Sequence, residues 1–440
     1  MLRLYDTRHR RVEPVLPQGA RSMRVYGCGP AAGRVTSLGD LRAGLLADLV
    51  RRVVERRGVR VVRCLGLTDL GRPPAGHGAE GRGRRDAFEA EALALNIHPP
   101  QHSPEVSETV GPVIEMIARL VERGHAYPAS DGSVLFDATS FPSYGELSGN
   151  RLERLRPRAG EAGPRKRHPA DWVLWRPTEE EPAWRAPWGR GVPGRHIGCS
   201  AMALRSLGER IDLHVGGIDL CFPHHENERA QSDAVTGHEV VAHWAHSGHL
   251  LFDGHELDGR AGGAPALGEV TRAGLDPLAV RLALLEHRHR GRLDLTWQAL
   301  RVADATLRRW RSRVAGWAEA PSRPMPSGPV SAIEDAFDDD LDTPLALRLL
   351  RGLERDEAVA PGARLEAFLH LDRVLGLDLS CGIGRSENLP PGAAELLQRR
   401  PRAREAGDWA AADRLRAELA GLGVLVRDTP EGQDWSVRPS

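Results

Sequence analysis

The sequence predicts an α/β fold. A parallel βαβ core carries an insertion and is followed by a helical bundle and a small C-terminal α/β domain. Three observations predict it. A strand, a helix and a second strand follow one another between Met23 and Leu67. A proline-rich stretch with short strand-like pieces occupies 125–195. Helical periodicity then runs over 277–316 and 330–376 and gives way to Pro390-Pro391, a linker signal.

Taken in order, Met23-Arg24-Val25-Tyr26-Gly27-Cys28 predicts a short strand stopped by Gly29-Pro30. Leu41, Leu45, Leu46, Leu49, Val53 and Val54 recur at helical spacing, so a helix is predicted over 41–57, ended by Gly58. The run 59–67 predicts the second strand of the parallel unit. The Gly/Arg/Pro-rich stretch 71–86 predicts a loop by composition. An amphipathic helix is predicted over 110–122. Residues 210–215 predict a return to the central sheet, with a helix near 224–235. Leu278, Val280, Leu282, Leu284 and Leu285, then Leu300, Val302 and Leu307, place helix over 277–316. The tail, 392–440, predicts two helices and a short strand pair ending at Trp435. The expected domains are 1–265 with an inserted subdomain near 125–195, then 266–385, then 386–440.

Composition narrows the function classes. The 440 residues hold 60 basic and 60 acidic side chains, so the net charge is zero. No global field recruits nucleic acid or membrane, and any RNA contact must rest on a local basic face. Lys166 is the single lysine, so no lysine-dependent catalytic loop can exist elsewhere. The five cysteines are odd in number and scattered, and MLRLYDTRHR at the N-terminus has no apolar signal core. A cytoplasmic, reduced setting is expected. No apolar run approaches the ~18 residues that span a bilayer, and a monomer without membrane contact is expected.

His224 and Glu228 lie four apart, which on a helix aims both side chains at one point. With Cys28 and Cys199 they would make a four-donor set of the kind zinc accepts. Spacing alone leaves a second reading open, a helix with exposed polar residues, because donors spread over 200 positions form no local signature.

Specific stretches resolve this. CGP at 28–30, RHIGCSAMA at 195–203, HVGGIDLCFPHHENERAQSDA at 214–234, WAHSGH at 244–249 and DDDLDTPLAL at 338–347 resemble cysteinyl-tRNA synthetase, and so does the tail. The resemblance covers nearly the whole chain and implies a Rossmann-like class I catalytic domain. It also implies a zinc site on Cys28, Cys199, His224 and Glu228 that binds the substrate cysteine thiolate and rejects serine. Thr68, Gly216, Gly217 and Asp219 correspond to residues lining the amino-acid and ribose sites. A mycothiol-pathway cysteine ligase is a sister family, but the long C-terminal match favours the synthetase proper.

The same resemblance exposes a loss. Class I synthetases place a His-x-Gly-His turn at the first helix, where N–H groups and imidazoles stabilise charge on the α-phosphate. This chain has Ser37-Leu38-Gly39-Asp40 there. The family's Lys-Met-Ser-Lys-Ser loop is replaced by Glu256-Leu257-Asp258-Gly259-Arg260, in which Arg260 is the one candidate phosphate clamp. Asp40 and Glu256 put negative charge where triphosphate would lie, and Asp40 is expected to cap the helix. ATP as a co-substrate is therefore in doubt. Arg195 stands where the family usually has a tryptophan walling the cysteine pocket, and Gly198 where it has glutamate.

The tail carries Arg399, Arg400, Arg402, Arg404, Arg414 and Arg416, with Trp435 in the position of a base-stacking tryptophan. tRNA is thus a candidate partner, beside cysteine or another thiol or amino-acid-like molecule. Three functions are open. One is the family ligase reaction, weakened by both ATP-motif losses. The second is a repurposed zinc-dependent enzyme of specialised metabolism that works without adenylation. The third is a non-catalytic binder of cysteine or tRNA.

Overall fold

The computed structural model describes residues 1–31, 36–70, 79–155, 166–256, 265–384, 390–429 and 432–437. They form two compact units, Met1–Leu379 and Ser380–Ser440.

The first unit opens with an antiparallel hairpin, β1 (Arg3–Asp6) and β2 (Arg11–Pro14). The predicted parallel unit follows as β3 (Ser22–Ala31), α1 (Leu38–Glu55) and β4 (Arg60–Thr68). α1 buries Leu41, Leu45, Leu49 and Val53 against the sheet, one face at helical spacing.

The predicted loop over 71–86 needs correction, because α2 (Ala79–Ala94) begins inside it. Its Gly/Arg-rich start hides the apolar contacts further on: Phe88, Ala92 and Leu95 are all buried in the main core. α3 (Val110–Glu122) matches the prediction and buries Val113, Ile117 and Leu120.

A five-stranded antiparallel sheet comes next. It contains β5 (Ala126–Pro128), β6 (Val134–Phe136), β7 (Trp172–Pro177), β8 (Trp184–Ala186) and β9 (Gly189–Pro193), in the order β5-β6-β7-β9-β8. It has its own aromatic core, with Phe136 stacked on Trp172 at 4.3 Å between ring centroids.

The chain returns through α4 (Arg195–Leu207), β10 (Leu213–Gly217), a single turn α5 (Ile218–Leu220), α6 (Glu226–Thr236) and β11 (Trp244–Ser247). The central sheet is parallel, in the order β11-β10-β3-β4. Its carboxyl edge is where ligands bind in such sheets.

A three-stranded sheet joins β12 (Leu250–Phe252), β13 (His255–Glu256) and β14 (Leu293–Leu295). The helical part holds α7 (Leu267–Arg272), α8 (Pro277–Leu285), α9 (Trp297–Trp317), α10 (Ser327–Asp338), α11 (Thr343–Arg355) and α12 (Pro361–Leu375). Continuous helix over 277–316 is therefore corrected. Leu293-Asp294-Leu295 alternates buried, exposed, buried and pairs in parallel with β12.

The second unit packs α13 (Ala393–Glu405) and α14 (Trp409–Gly421) on a hairpin, β15 (Val424–Thr429) and β16 (Gly432–Val437). Arg400 pairs with Asp428 at 2.7 Å to tie the first helix to the hairpin. Among the described residues no helix is long and apolar enough to cross a membrane.

Candidate metal centre at the carboxyl edge of the sheet

Three elements deliver the predicted donors. Cys28 lies in β3, just before the strand's register shifts against β4. Cys199 projects from the first turns of α4 and is buried. His224 belongs to the Cys221–His225 turn that leads into α6, and Glu228 sits in the first turn of α6 itself. The backbone is non-helical at Phe222 (φ −135°, ψ 131°), so His224 enters from a turn rather than from a regular helix. The four-residue spacing still works: His224 Nε2 lies 2.7 Å from Glu228 Oε1.

Cys28 Sγ completes the contact, 3.1 Å from Glu228 Oε1 and 3.7 Å from His224 Nε2. One donor atom from each of Cys28, Cys199, His224 and Glu228 lies within 4.8 Å of every other. A tetrahedral zinc with bonds of about 2.0–2.3 Å sets its donors roughly 3.3–3.8 Å apart. His224 and Glu228, at 2.7 Å, would part by roughly half an ångström to reach that, and the mix of thiolate, imidazole and carboxylate fits a borderline-soft cation.

The electrostatics show a site prepared for charge. Burial pushes the Cys28 thiol well up, reinforced by Cys199 and Glu228. Cys199 moves the other way, to about 6, chiefly because Cys28 donates a hydrogen bond to it. Burial opposes protonation of His224, but Glu228 and Cys199 raise it to about 10.

Sequence reasoning missed the histidines behind this cluster. His214 Nε2 lies 3.4 Å from Glu228 Oε2 and 3.7 Å from Cys28 Sγ. Its ring stacks on Trp244 at 4.5 Å and meets the edge of Tyr26 at 5.0 Å. His225 Nδ1 shares a hydrogen bond of 2.8 Å with His246 Nε2, and His246 Nδ1 reaches Thr7 Oγ1 at 2.7 Å. Burial holds His214 and His246 near 3 and His225 well below its ordinary value. Two of them, His214 and His225, make a second overlapping donor group with Cys28 and Glu228. The clustered histidines of HVGGIDLCFPHHE were the available signal.

The remaining predicted residues divide. Thr68 ends β4, while Gly216 and Gly217 end β10 opposite His246 and Ser247, on the same edge as Cys28. A Cβ on Gly216 would sit 2.5 Å from His225 Cε1, so packing alone explains that glycine. Asp219 is exposed in the turn that follows. Arg195 is exposed at the start of α4, four residues before Cys199 and so on the same helix face.

The start of α1 is closed by its own side chains. The helix cap is Ser37, which corrects the expectation that Asp40 caps it. Ser37 Oγ accepts from the Asp40 N–H at 3.2 Å, and Asp40 Oδ2 accepts from the Ser37 N–H at 2.9 Å. Gly259, Arg260 and the side chain of Glu256 lie outside the described residues.

Comparison with known proteins supplies the ancestry. Residues 14–305 match the model of the class I (C) tRNA synthetase catalytic domain, and residues 386–435 match the cysteinyl-tRNA ligase anticodon binding domain. The chain is 39% identical to the cysteine–tRNA ligase of Alkalilimnicola ehrlichii, with 99% of each chain covered. It is 38% identical to that of Gluconobacter oxydans, covering 99% of this chain and 98% of the relative. The chain belongs to the cysteine–tRNA ligase family.

Structural neighbours place this family member within the class I fold. Mycobacterium tuberculosis methionyl-tRNA synthetase bound by methionyl-adenylate superposes with a TM-score of 0.58 at 14% identity, covering 89% of this chain and 96% of that one. The LeuRS of Agrobacterium radiobacter K84, in a ternary complex with tRNA and LeuAMS, gives 0.61 at 9% identity, covering 83% and 84%. Both likenesses concern the fold alone.

Proposed function

We propose that this member of the cysteine–tRNA ligase family binds a thiol substrate, cysteine first among them, through zinc, and that it has lost efficient ATP-dependent activation. The observation that carries this reading is a contrast within one fold. The donor set Cys28, Cys199, His224 and Glu228 is whole, while Ser37 and Asp40 at α1 satisfy each other.

Between the two overlapping donor groups, exposure favours the first. Cys28 and His224 are partly open to solvent, whereas His214 and His225 are buried, so a substrate reaches the cation from the Cys28 and His224 side. Zinc held by these four donors would supply a Lewis-acidic centre that takes a thiolate as an added ligand in preference to a hydroxyl. The chain's own residues then do the rest. Glu228 and Cys28 fix the donor geometry from below, and His214 backs Glu228 through its second oxygen. Arg195 lies on the α4 face shared with Cys199.

The nucleotide side argues against the family reaction. A triphosphate would meet the Asp40 carboxylate and an amide already engaged by Ser37. Losing one transition-state donor costs on the order of 10²–10³ in rate, and the sequence has lost both histidines of the turn and both lysines of the loop. The match to the anticodon-binding domain supports a second reading, tRNA binding without ligation.

The test is ATP–pyrophosphate exchange by zinc-loaded protein with cysteine and other amino acids, beside calorimetric titration with cysteine and serine. The expected result is cysteine binding, no serine binding and exchange at background. Robust exchange with cysteine would restore the ligase reaction. Absence of cysteine binding by zinc-loaded protein would remove the thiol reading.

A further inference from the structure

We propose that Tyr26 is a positioning residue of the thiolate pair Cys28 and Cys199, its hydroxyl donating a hydrogen bond to those sulfurs from the side away from the substrate. The inference rests on the zinc reading above and gives that site a donor behind its cysteines.

The strand register brings the groups together. Tyr26 and Cys28 stand two residues apart in β3 and share one face. Their partners on β4 are Cys64 and Gly66, so the four residues line one side of the sheet. The Tyr26 ring leans along that side toward the carboxyl edge. Its hydroxyl lies over Gly66, the residue paired with Cys28, and a Cβ on Gly66 would collide with it. α4 covers the same spot. Met202 Cε would lie 2.9 Å from that Cβ, and Cys199 precedes Met202 by one turn on the same helix face. Tyr26, Cys199 and Met202 are buried in one cluster, with Cys28 packed against it.

The atom without a partner is the one that reaches the level of the sulfurs. Tyr26 is fully buried, and its hydroxyl makes no hydrogen bond. Buried hydroxyls ordinarily make one. The ring does not need the oxygen for its packing, since the His214 ring already meets it edge-on at 5.0 Å. A phenylalanine would fill the same space, and Gly66 would then have no oxygen to accommodate. A hydroxyl together with a recess kept for it points to an acceptor at that spot. A neutral thiol accepts weakly, whereas a thiolate accepts strongly, and the thiolate is the form that ligates metal. Burial first, and then the charges of Cys199 and Cys28, hold the phenol well above its ordinary pKa, so it keeps the proton it would donate. A hydrogen bond to a ligating sulfur fixes that ligand's direction and draws electron density from it.

The experiment compares the full-length parent with Tyr26→Phe, first metal-free and then titrated with zinc and with cobalt(II). The metal-free variant should melt with the parent, because its hydroxyl has no partner to lose. Its zinc affinity should fall about 10- to 100-fold, and its thiolate-to-cobalt absorption should move to longer wavelength. A purely structural role would lower the metal-free melting temperature and leave the absorption in place. That result, or unchanged affinity and absorption, overturns the proposal and leaves the zinc reading standing. A parent that shows no thiolate-to-cobalt absorption removes both.

Discussion

The Ser37 backbone N–H donates to Asp40 Oδ2 at 2.9 Å, and the Asp40 N–H returns the bond to Ser37 Oγ at 3.2 Å. This reciprocal box occupies the end of α1 that an anion would otherwise use. Asp40→Ala should therefore lower the stability of the fold by about 1 kcal/mol, the worth of the side-chain bond to the Ser37 N–H, while raising affinity for pyrophosphate. Denaturant midpoints and calorimetric titration measure both. Stability loss with no gain in pyrophosphate binding would mean that the box is not what excludes phosphate.

The helix that carries this box was legible because Leu41, Leu45, Leu49 and Val53 repeat on one buried face. α2 was not, since glycines and arginines fill its first turns and the residues it places in the core, Phe88 and Ala92, come late. At the site, the spacing of His224 and Glu228 was readable locally. Cys28 and Cys199 became readable only through family resemblance, because the fold brings them together across the sheet. His214 was hidden for a different reason. It is one residue in a short strand, and its role depends on Trp244 and Tyr26, which lie on neighbouring strands.

Removing the proposed zinc should uncouple binding from folding. Cys199→Ser and Glu228→Gln should each lose one metal equivalent and all measurable cysteine binding, and chelation of the parent should do the same. The first unit should stay folded, because its largest core cluster contains none of these donors, although Cys199 belongs to a smaller one. Metal counting, circular dichroism and calorimetry check the three statements. Cysteine binding that survives chelation would place the thiol elsewhere.

Acid should weaken the joint between α1 and the helical part. Arg281 Nη2 and Arg52 Nε both reach Asp48 Oδ2, at 2.8 and 2.7 Å, and both partners of the Arg281 pair are fully buried. Burial alone would raise the Asp48 pKa, but Arg281 and Arg52 hold it below its ordinary 3.8. A depressed carboxylate stabilises the fold fully above its unfolded pKa, about 3.9, and loses that contribution as pH falls through the folded value. Asp48→Asn should cost about 3–5 kcal/mol at neutral pH, because Arg281 is left buried and unpaired. The gap between parent and variant should shrink below about pH 4. Urea midpoints at pH 7 and pH 3 test this, and a constant gap would show that Asp48 does not titrate with folding.

The tail offers two tryptophans with different exposures, and these separate RNA contact from packing. Trp435 is partly buried against the small core of Leu397, Leu419 and Val424, so a change there disturbs the unit itself. Trp409 is 62% exposed at the start of α14, with the Arg404 guanidinium 5.9 Å from its ring. An exposed ring beside an arginine is a stacking platform for an unpaired base, worth about 1–3 kcal/mol. Trp409→Ala should weaken binding of a tRNA(Cys) anticodon stem-loop about 5- to 150-fold and leave the melting temperature unchanged. Trp435→Ala should lower both. If Trp435→Ala weakens RNA binding at temperatures where it remains folded and Trp409→Ala does not, the base stacks on Trp435. If neither change alters binding, the basic tail does not read the anticodon, and the tRNA reading loses its support.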